Sequence, residues 1–223
     1  MFDIRPLPHQ LPDALRERAL LAQPATIGHF RFRGLVDGRI TMQSNSSRVA
    51  GTAVTLALPG MDSTLLHHAA GLLRPGDILM VDRLGDRRHA CLGGGVAAVL
   101  AKNGVTAVII DGPCADPAEI LDCSLPVWCR GTSPITTRLY GIGGALNVPV
   151  SIGGAVALPG DLVIADDGGI VILPPDEAEE AIERAIRMQK QESCLIPQVS
   201  RTQPLGELSG ATALVRAKQS GSA

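Results

Sequence analysis

The sequence predicts a single α/β domain, and three observations predict it. Its 223 residues, 45% hydrophobic and 19% charged, suffice for one well-filled core and are few for two, since domains run to ~50–250 residues. Aromatic side chains contribute only 2% beside 25 glycines and 16 prolines, which calls for a core of Ala, Val, Leu and Ile joined by many tight turns. Between residues 75 and 110 an apolar strand, a glycine run opening a helix and a β-branched strand follow one another. That order is a βαβ unit with a parallel strand pair.

Each element follows from its local pattern. Apolar residues at helical spacing over 11–21, with Pro12 at the start, predict an N-terminal helix. Pro24, Gly28, Gly34 and Gly38 then break the pattern and polar residues cluster at 43–47, so the arm over about 1–47 is otherwise loop-rich. Residues 50–58 are small and β-branched, lack a helical period and stop at Pro59-Gly60, as a buried strand does. A helix over 63–73 follows, capped by Asp62 or Ser63. An internal echo comes next: Pro75-Gly76-Asp77 and Pro159-Gly160-Asp161 each precede four apolar residues and a second Asp, Asp82 or Asp166. Each copy reads as a turn launching a short buried strand. Gly93, Gly94 and Gly95 open a helix over 96–103, Gly104 ends it, and 105–110 is the next strand. One helical turn over 119–122 and strands over 127–130, within 148–158 and over 170–173 come after it. A long helix from Pro175-Asp176 through Glu192 completes a domain that ends near 195. The polar stretch 196–223 is expected to be a mobile tail.

Several function classes find no support. A net charge of −2 and an isoelectric point near 6.2 give no electrostatic footprint for nucleic acid, and the scarce aromatics leave little to stack on bases. The apolar runs fall well short of the ~20 residues a membrane helix needs. Residues 1–10 show no cationic-then-apolar leader, so the expected location is the cytoplasm. The five cysteines, Cys91, Cys114, Cys123, Cys129 and Cys194, form no C-x-x-C pair and read as reduced thiols. Neither G-x-G-x-x-G, a Walker loop, a G-x-S-x-G elbow nor an S-adenosylmethionine glycine loop is present.

Chemistry is expected where strands end and helices begin, because unpaired amides and the positive helix end converge there. The turn Gly93-Gly94-Gly95-Val96 offers amides free of side chains to an anion, or serves only as a tight turn. Asp111, Asp116 and Glu119 stand within nine residues after a strand and offer oxygen ligands to a hard cation. The same spacing also suits an Asx-turn at Asp111 and a capping box from Asp116 to Glu119. Arg83, Arg87, Arg88 and His89 lie between a strand end and the glycine turn, placed either to meet an anion or to form surface ion pairs. His67 and His68 are adjacent on a helix and so face apart. His89 is the better general acid or base of the five histidines.

These segments resemble the RraA-like family. The resemblance rests on Pro75 to Asp82, the Gly-Gly-Gly-Val opening, Ala101-Lys102-Asn103-Gly104-Val105 into Ile109-Ile110-Asp111-Gly112, Asp116-x-x-Glu119, Pro126-Val127-Trp128-Cys129-Arg130-Gly131-Thr132, and Pro159 through Pro174. These stand in matching order from about residue 49 to about 192. The family includes the regulator of ribonuclease E activity and class II 4-hydroxy-4-methyl-2-oxoglutarate aldolases that also decarboxylate oxaloacetate. What it implies is a swivelling β/β/α fold assembled as a homotrimer or a dimer of trimers, with sites at subunit boundaries. It also implies Mg²⁺ or Mn²⁺ near Asp116, and a pyruvate carboxylate on the backbone at Gly93 to Val96.

Two positions depart from the pattern. Ala115 stands where the family has an Arg that helps hold pyruvate and its enolate, and Gly94 stands where an acidic residue is frequent. Losing one donor aimed at a developing oxyanion costs ~3–4 kcal/mol, so an aldolase changed only at Ala115 would be slow unless Arg83, Arg87, Arg88 or Arg130 projects into the same cavity and substitutes. The resulting expectation is a metal-assisted carbon–carbon lyase, an aldolase or decarboxylase, acting on a small anionic 2-oxo or hydroxy polycarboxylate and releasing pyruvate. Asp116 would ligate the metal, Glu119 would relay protons, and Gly93, Gly94, Gly95, Val96, Ala115, Arg87 and Arg88 would surround the substrate. The alternatives are a non-catalytic regulator that binds a protein partner and a lyase of the same scaffold that dehydrates a sugar acid.

Overall fold

Nine residues without a charge, Val49–Ala57, form the strand around which the sheet is built, and all but the last are buried. The computed structural model describes residues 1–43 and 48–220, the last by its backbone alone. In chain order the elements are β1 (Phe2–Ile4), α1 (Asp13–Ala19), α2 (Pro24–Gly28), β2 (Thr41–Met42), β3 (Val49–Ala57), α3 (Thr64–Ala70), β4 (Asp77–Asp82), α4 (Gly94–Lys102), β5 (Ala107–Ile110) and α5 (Pro117–Asp122). After these come β6 (Val127–Cys129), β7 (Gly144–Leu146), β8 (Val150–Ile152), β9 (Ala155–Ala157), β10 (Leu162–Asp166), β11 (Gly169–Leu173), α6 (Pro175–Leu195), α7 (Leu205–Leu208) and α8 (Ala211–Ser220).

Strands β3, β4, β5 and β6 lie parallel in that order, with β2 antiparallel on β6. The other edge of β3 is shared, β10 pairing antiparallel with its first half and β7 with its end. The internal echo is therefore structural, since β4 and β10 flank the same strand in opposite directions. In both copies the glycine is left-handed, Gly76 at φ +90° and Gly160 at +94°. Asp77 accepts from the Arg74 amide at 2.9 Å and Asp161 from that of Leu158 at 2.8 Å, three residues back in each case. At the strand ends Asp82 accepts from the Leu84 amide at 2.7 Å and Asp166 from that of Gly168 at 2.9 Å. The four aspartates of the echo cap turns.

Alternation along β4 and β5 makes two layers of core. Leu79, Val81, Val108 and Ile110 face α3, α4 and α5. Ile78, Met80 and Ile109, with Trp128, face the β8–β9 hairpin. A third cluster packs α1, α2 and α6 on β10 and β11. The chain is thus a single α/β domain, a hairpin on one face of the sheet and helices on the other.

The arm departs from its loop-rich reading by holding α2 and β2, and β1 and β7 pair in parallel at the sheet edge. Helix α6 ends at Leu195, beyond Glu192. Residues 196–220 form a 3₁₀ turn and the two short helices α7 and α8, largely exposed. Residues 44–47, the polar end of the arm, and 221–223, the end of the tail, lie outside the described residues. Among the described residues no helix is long and apolar enough to cross a membrane.

Candidate active site

Strands β4 and β5 end side by side, and the loops leaving them carry the residues singled out from the sequence. Gly93 is extended, and α4 begins at Gly94. Asp116 occupies the N-cap position of α5, yet its side chain makes no bond to that helix. Its backbone is left-handed, φ 52° and ψ 52°, which costs a non-glycine residue on the order of 1 kcal/mol. The side chain is thereby turned to the neighbouring helix, where Oδ2 accepts from the Gly94 amide at 3.2 Å. The capping-box reading is overturned: the left-handed backbone aims the carboxylate away from its own helix.

Close approach bears on two positions of the turn, and most on Gly94. A Cβ on Gly93 would lie 2.5 Å from Asp116 Oδ2, and one on Gly94 would collide with the Glu119 side chain. Gly95 faces open space. Ala115 is buried against the turn and its amide donates to the Leu92 carbonyl at 2.8 Å, fixing the loop beside Gly93. The structure therefore brings Gly93, Gly94, Gly95, Val96, Ala115, Asp116 and Glu119 together. Asp116 and Glu119 are exposed, and neither forms an ion pair among the described residues.

Asp111 is separated from them, because it faces the hairpin side of the sheet. Its carboxylate accepts from Arg130 Nε, from Arg87 Nη1 at 2.7 Å and from the Gly153 amide at 2.9 Å. Burial pushes its pKa up, but the bonds from Arg130 and Gly153 and the charges of Arg130 and Arg87 outweigh that and hold it below the usual carboxylate range. The Asx-turn reading of Asp111 fails with the reading of all three carboxylates as one cation cluster. Among the described residues no three His, Cys, Asp or Glu side chains group as metal ligands.

Arg87 thus stays away from the glycine turn, on a polar cavity of about 500 Å³ that Asp37, Arg39, Asp82, Asp111 and Arg130 also line. Arg83 is wholly buried and directed to the carbonyls of Gly60 and His89. Arg88 is exposed and bonded through its main chain, its amide donating to Asp86 at 2.7 Å and its carbonyl accepting from Ser133 Oγ at 2.7 Å. Three of the four candidate replacement cations are engaged elsewhere. The Asp37–Asp111–Arg130 cluster escaped sequence reading because its members lie far apart in the chain. The pair His89 Nδ1 and Asp86 Oδ2, 2.7 Å apart, was within reach of it through the spacing of three residues. Burial raises the Asp86 pKa, but the amides of His89 and Arg88 and the His89 ring lower it further, to about 2.

The family described as RraA-like, Aldolase/RraA, matches residues 13–172. The chain belongs to the RraA-like family. A relative from Halalkalibacterium halodurans, named "Putative 4-hydroxy-4-methyl-2-oxoglutarate aldolase", is 30% identical over 146 residues, 66% of this chain and 69% of its own length. Among solved structures, Streptomyces coelicolor RraAS2, described as an unusual member of the RNase ES inhibitor RraA protein family, superposes with a TM-score of 0.75 at 27% identity, covering 84% of this chain and 99% of that one. The RNA-processing inhibitor RraA from Thermus thermophilis follows at 0.59 and 26%, covering 63% and 84%. This mixed α/β domain has the RraA-like fold.

Proposed function

We propose that this RraA-like chain is a carbon–carbon lyase that works with Mg²⁺ or Mn²⁺ on a small anionic 2-oxo or hydroxy polycarboxylate, by aldol cleavage or decarboxylation, and releases pyruvate. The observation that carries the reading is Asp116, whose strained backbone diverts its carboxylate from its own helix to the glycine turn at the start of α4. Strain of this kind persists where the surroundings enforce it, and it clusters at functional sites.

The donor set fits a magnesium-class ion. Such ions take one or two carboxylates and fill the octahedron with water and substrate, and Asp116 and Glu119 offer two carboxylates without a protein cation between them. Asp116 would hold the ion. When bound, the cation supplies Lewis-acid polarisation of the substrate's 2-oxo group. The chain's own groups do the rest. The amides of Gly95 and Val96, in the first turn of α4, lack intrahelical partners and receive a carboxylate at the positive helix end. Glu119, exposed beside them, carries a proton between substrate and solvent. Ala115 contributes no charge, so the reaction is expected to be slow beside one with a cation at that position. The name of the Halalkalibacterium relative supports an aldolase.

Replacing Asp116 by Asn tests the reading, because its side chain does not cap α5 and the fold should survive. Calorimetric Mn²⁺ binding is expected to vanish in Asp116→Asn while the melting temperature stays near that of the wild type. Equal affinity in both proteins would reject the metal site.

A further inference from the structure

Cys114 and Cys129 are both fully buried, and their sulfurs lie 3.4 Å apart. Cys129 ends β6 and Cys114 lies on the extension of β5 beside it, and the main chain holds the two together. The Arg130 amide donates to the Gly112 carbonyl at 2.9 Å, that of Cys114 to Gly131 at 3.0 Å, and that of Ser133 back to Cys114 at 2.9 Å. A disulfide needs its sulfurs ~2.05 Å apart, so closure takes a sulfur movement of about 1.4 Å, within reach of side-chain rotation. Cys91 is also buried, but among the described residues its sulfur bonds to no other sulfur, and burial pushes its thiol up to about 11. Cys114 directly precedes Ala115 and Asp116 in the chain.

We infer that Cys114 and Cys129 form a reversible disulfide driven by hydrogen peroxide, and that the bond draws the Asp116 loop out of position. Peroxide is little larger than water, which suits a pair closed to solvent. In the first step the Cys114 sulfur attacks peroxide. The O–O bond breaks, an S–O bond forms and one water leaves, giving the sulfenic acid. In the second step the Cys129 sulfur attacks Cys114, the S–O bond breaks, the S–S bond forms and a second water leaves. Two thiols and one peroxide thus become one disulfide and two waters. The steps balance equally with the sulfurs exchanged, since they lie 3.4 Å apart and the Gly131 carbonyl, 3.0 Å from Cys129 Sγ, accepts the Cys129 proton.

The experiment treats the folded, full-length chain with hydrogen peroxide, blocks free thiols by alkylation in denaturant and maps the peptides by mass spectrometry. A linked peptide pair joining Cys114 to Cys129, about 2 Da lighter than the two thiols and removed by dithiothreitol, is expected. It should be absent from Cys114→Ser and from Cys129→Ser. Full alkylation of both residues while exposed Cys194 is oxidised would overturn the inference, and the wild-type map decides this even if a variant fails to fold. The effect on Asp116 rests on the proposed metal site and is read separately, as at least a tenfold weaker Mn²⁺ affinity in the oxidised chain. Unchanged Mn²⁺ affinity on oxidation would overturn the coupling to Asp116, whereas a reduced chain that binds no Mn²⁺ would reject the metal site and leave the disulfide to be judged by the map.

Discussion

The adjacent residues Gly94 and Gly95 are chemically identical and structurally opposite. A methyl on Gly94 would meet Glu119, whereas one on Gly95 would meet nothing within 4 Å. Neither backbone is left-handed, so the substitutions differ in space alone. Gly95→Ala should stabilise the fold by ~0.5–1 kcal/mol, since a helical alanine loses less conformational freedom than glycine. Gly94→Ala should destabilise it by ~1–3 kcal/mol, because overpacking forces α5 to shift. Urea unfolding of the two variants reads both values, and shifts of the same sign would contradict the packing described. The glycine run and Asp116 were legible as a candidate site from sequence because their spacing puts them after consecutive strands. The direction of the Asp116 side chain was not, since a left-handed backbone at a non-glycine residue leaves no trace in the pattern.

Between elements, Asp62 does what the sequence assigned to a helix cap and also something it did not. Its fully buried carboxylate accepts from the amide and hydroxyl of Thr64, at 2.9 and 2.6 Å, and from the amides of Tyr140 and Ile142, at 3.1 and 2.7 Å. The start of α3 is thereby tied to a segment some eighty residues away. The cap was readable because it is local; the long-range half was not. The same division holds for the strands. The β3, β4, β5 and β10 runs are buried and apolar and were read correctly, whereas β1 and β7 are three-residue edge strands whose pairing only the tertiary fold decides. Burial pushes the Asp62 pKa up, but the Thr64 hydroxyl and the three amides outweigh it and hold the carboxyl below its usual range. Its stabilising effect is therefore complete above the unfolded value of ~3.9 and is lost as pH falls below it. Asp62→Asn should cost on the order of 2 kcal/mol at pH 7. The difference from wild type should shrink when urea midpoints are repeated at pH 3. A pH-independent difference would mean that the carboxylate's charge is irrelevant.

At the scale of the whole molecule, the segment from Ile135 to Ile142 combines a fixed backbone with exposed apolar side chains. Its main chain is pinned by bonds from Ala90 to Ile135 at 2.8 Å, from Thr137 to Ala90 at 3.1 Å, from Arg138 to Met61 at 2.9 Å and from Ser63 to Arg138 at 2.9 Å. Yet Leu139, Tyr140 and Ile142 are 62%, 55% and 51% exposed. A mobile loop that exposes apolar residues pays little to fold them away on contact, but a pinned one keeps them in water until another surface covers them. Asp116 and Glu119 are likewise exposed on the single chain, and a site for enolate chemistry works better with water excluded. A second copy of the chain would cover both. The RraA-like resemblance implies a trimer or a dimer of trimers, so light scattering at micromolar concentration is expected to return about three times the 23.2 kDa of one chain, or six times as a hexamer. Replacing Leu139 and Ile142 together by Asp should shift the mass toward the single chain without lowering helix content, because neither side chain belongs to a buried cluster. A monomeric wild type would remove the assembly, and a variant that still assembles would move the interface to another face.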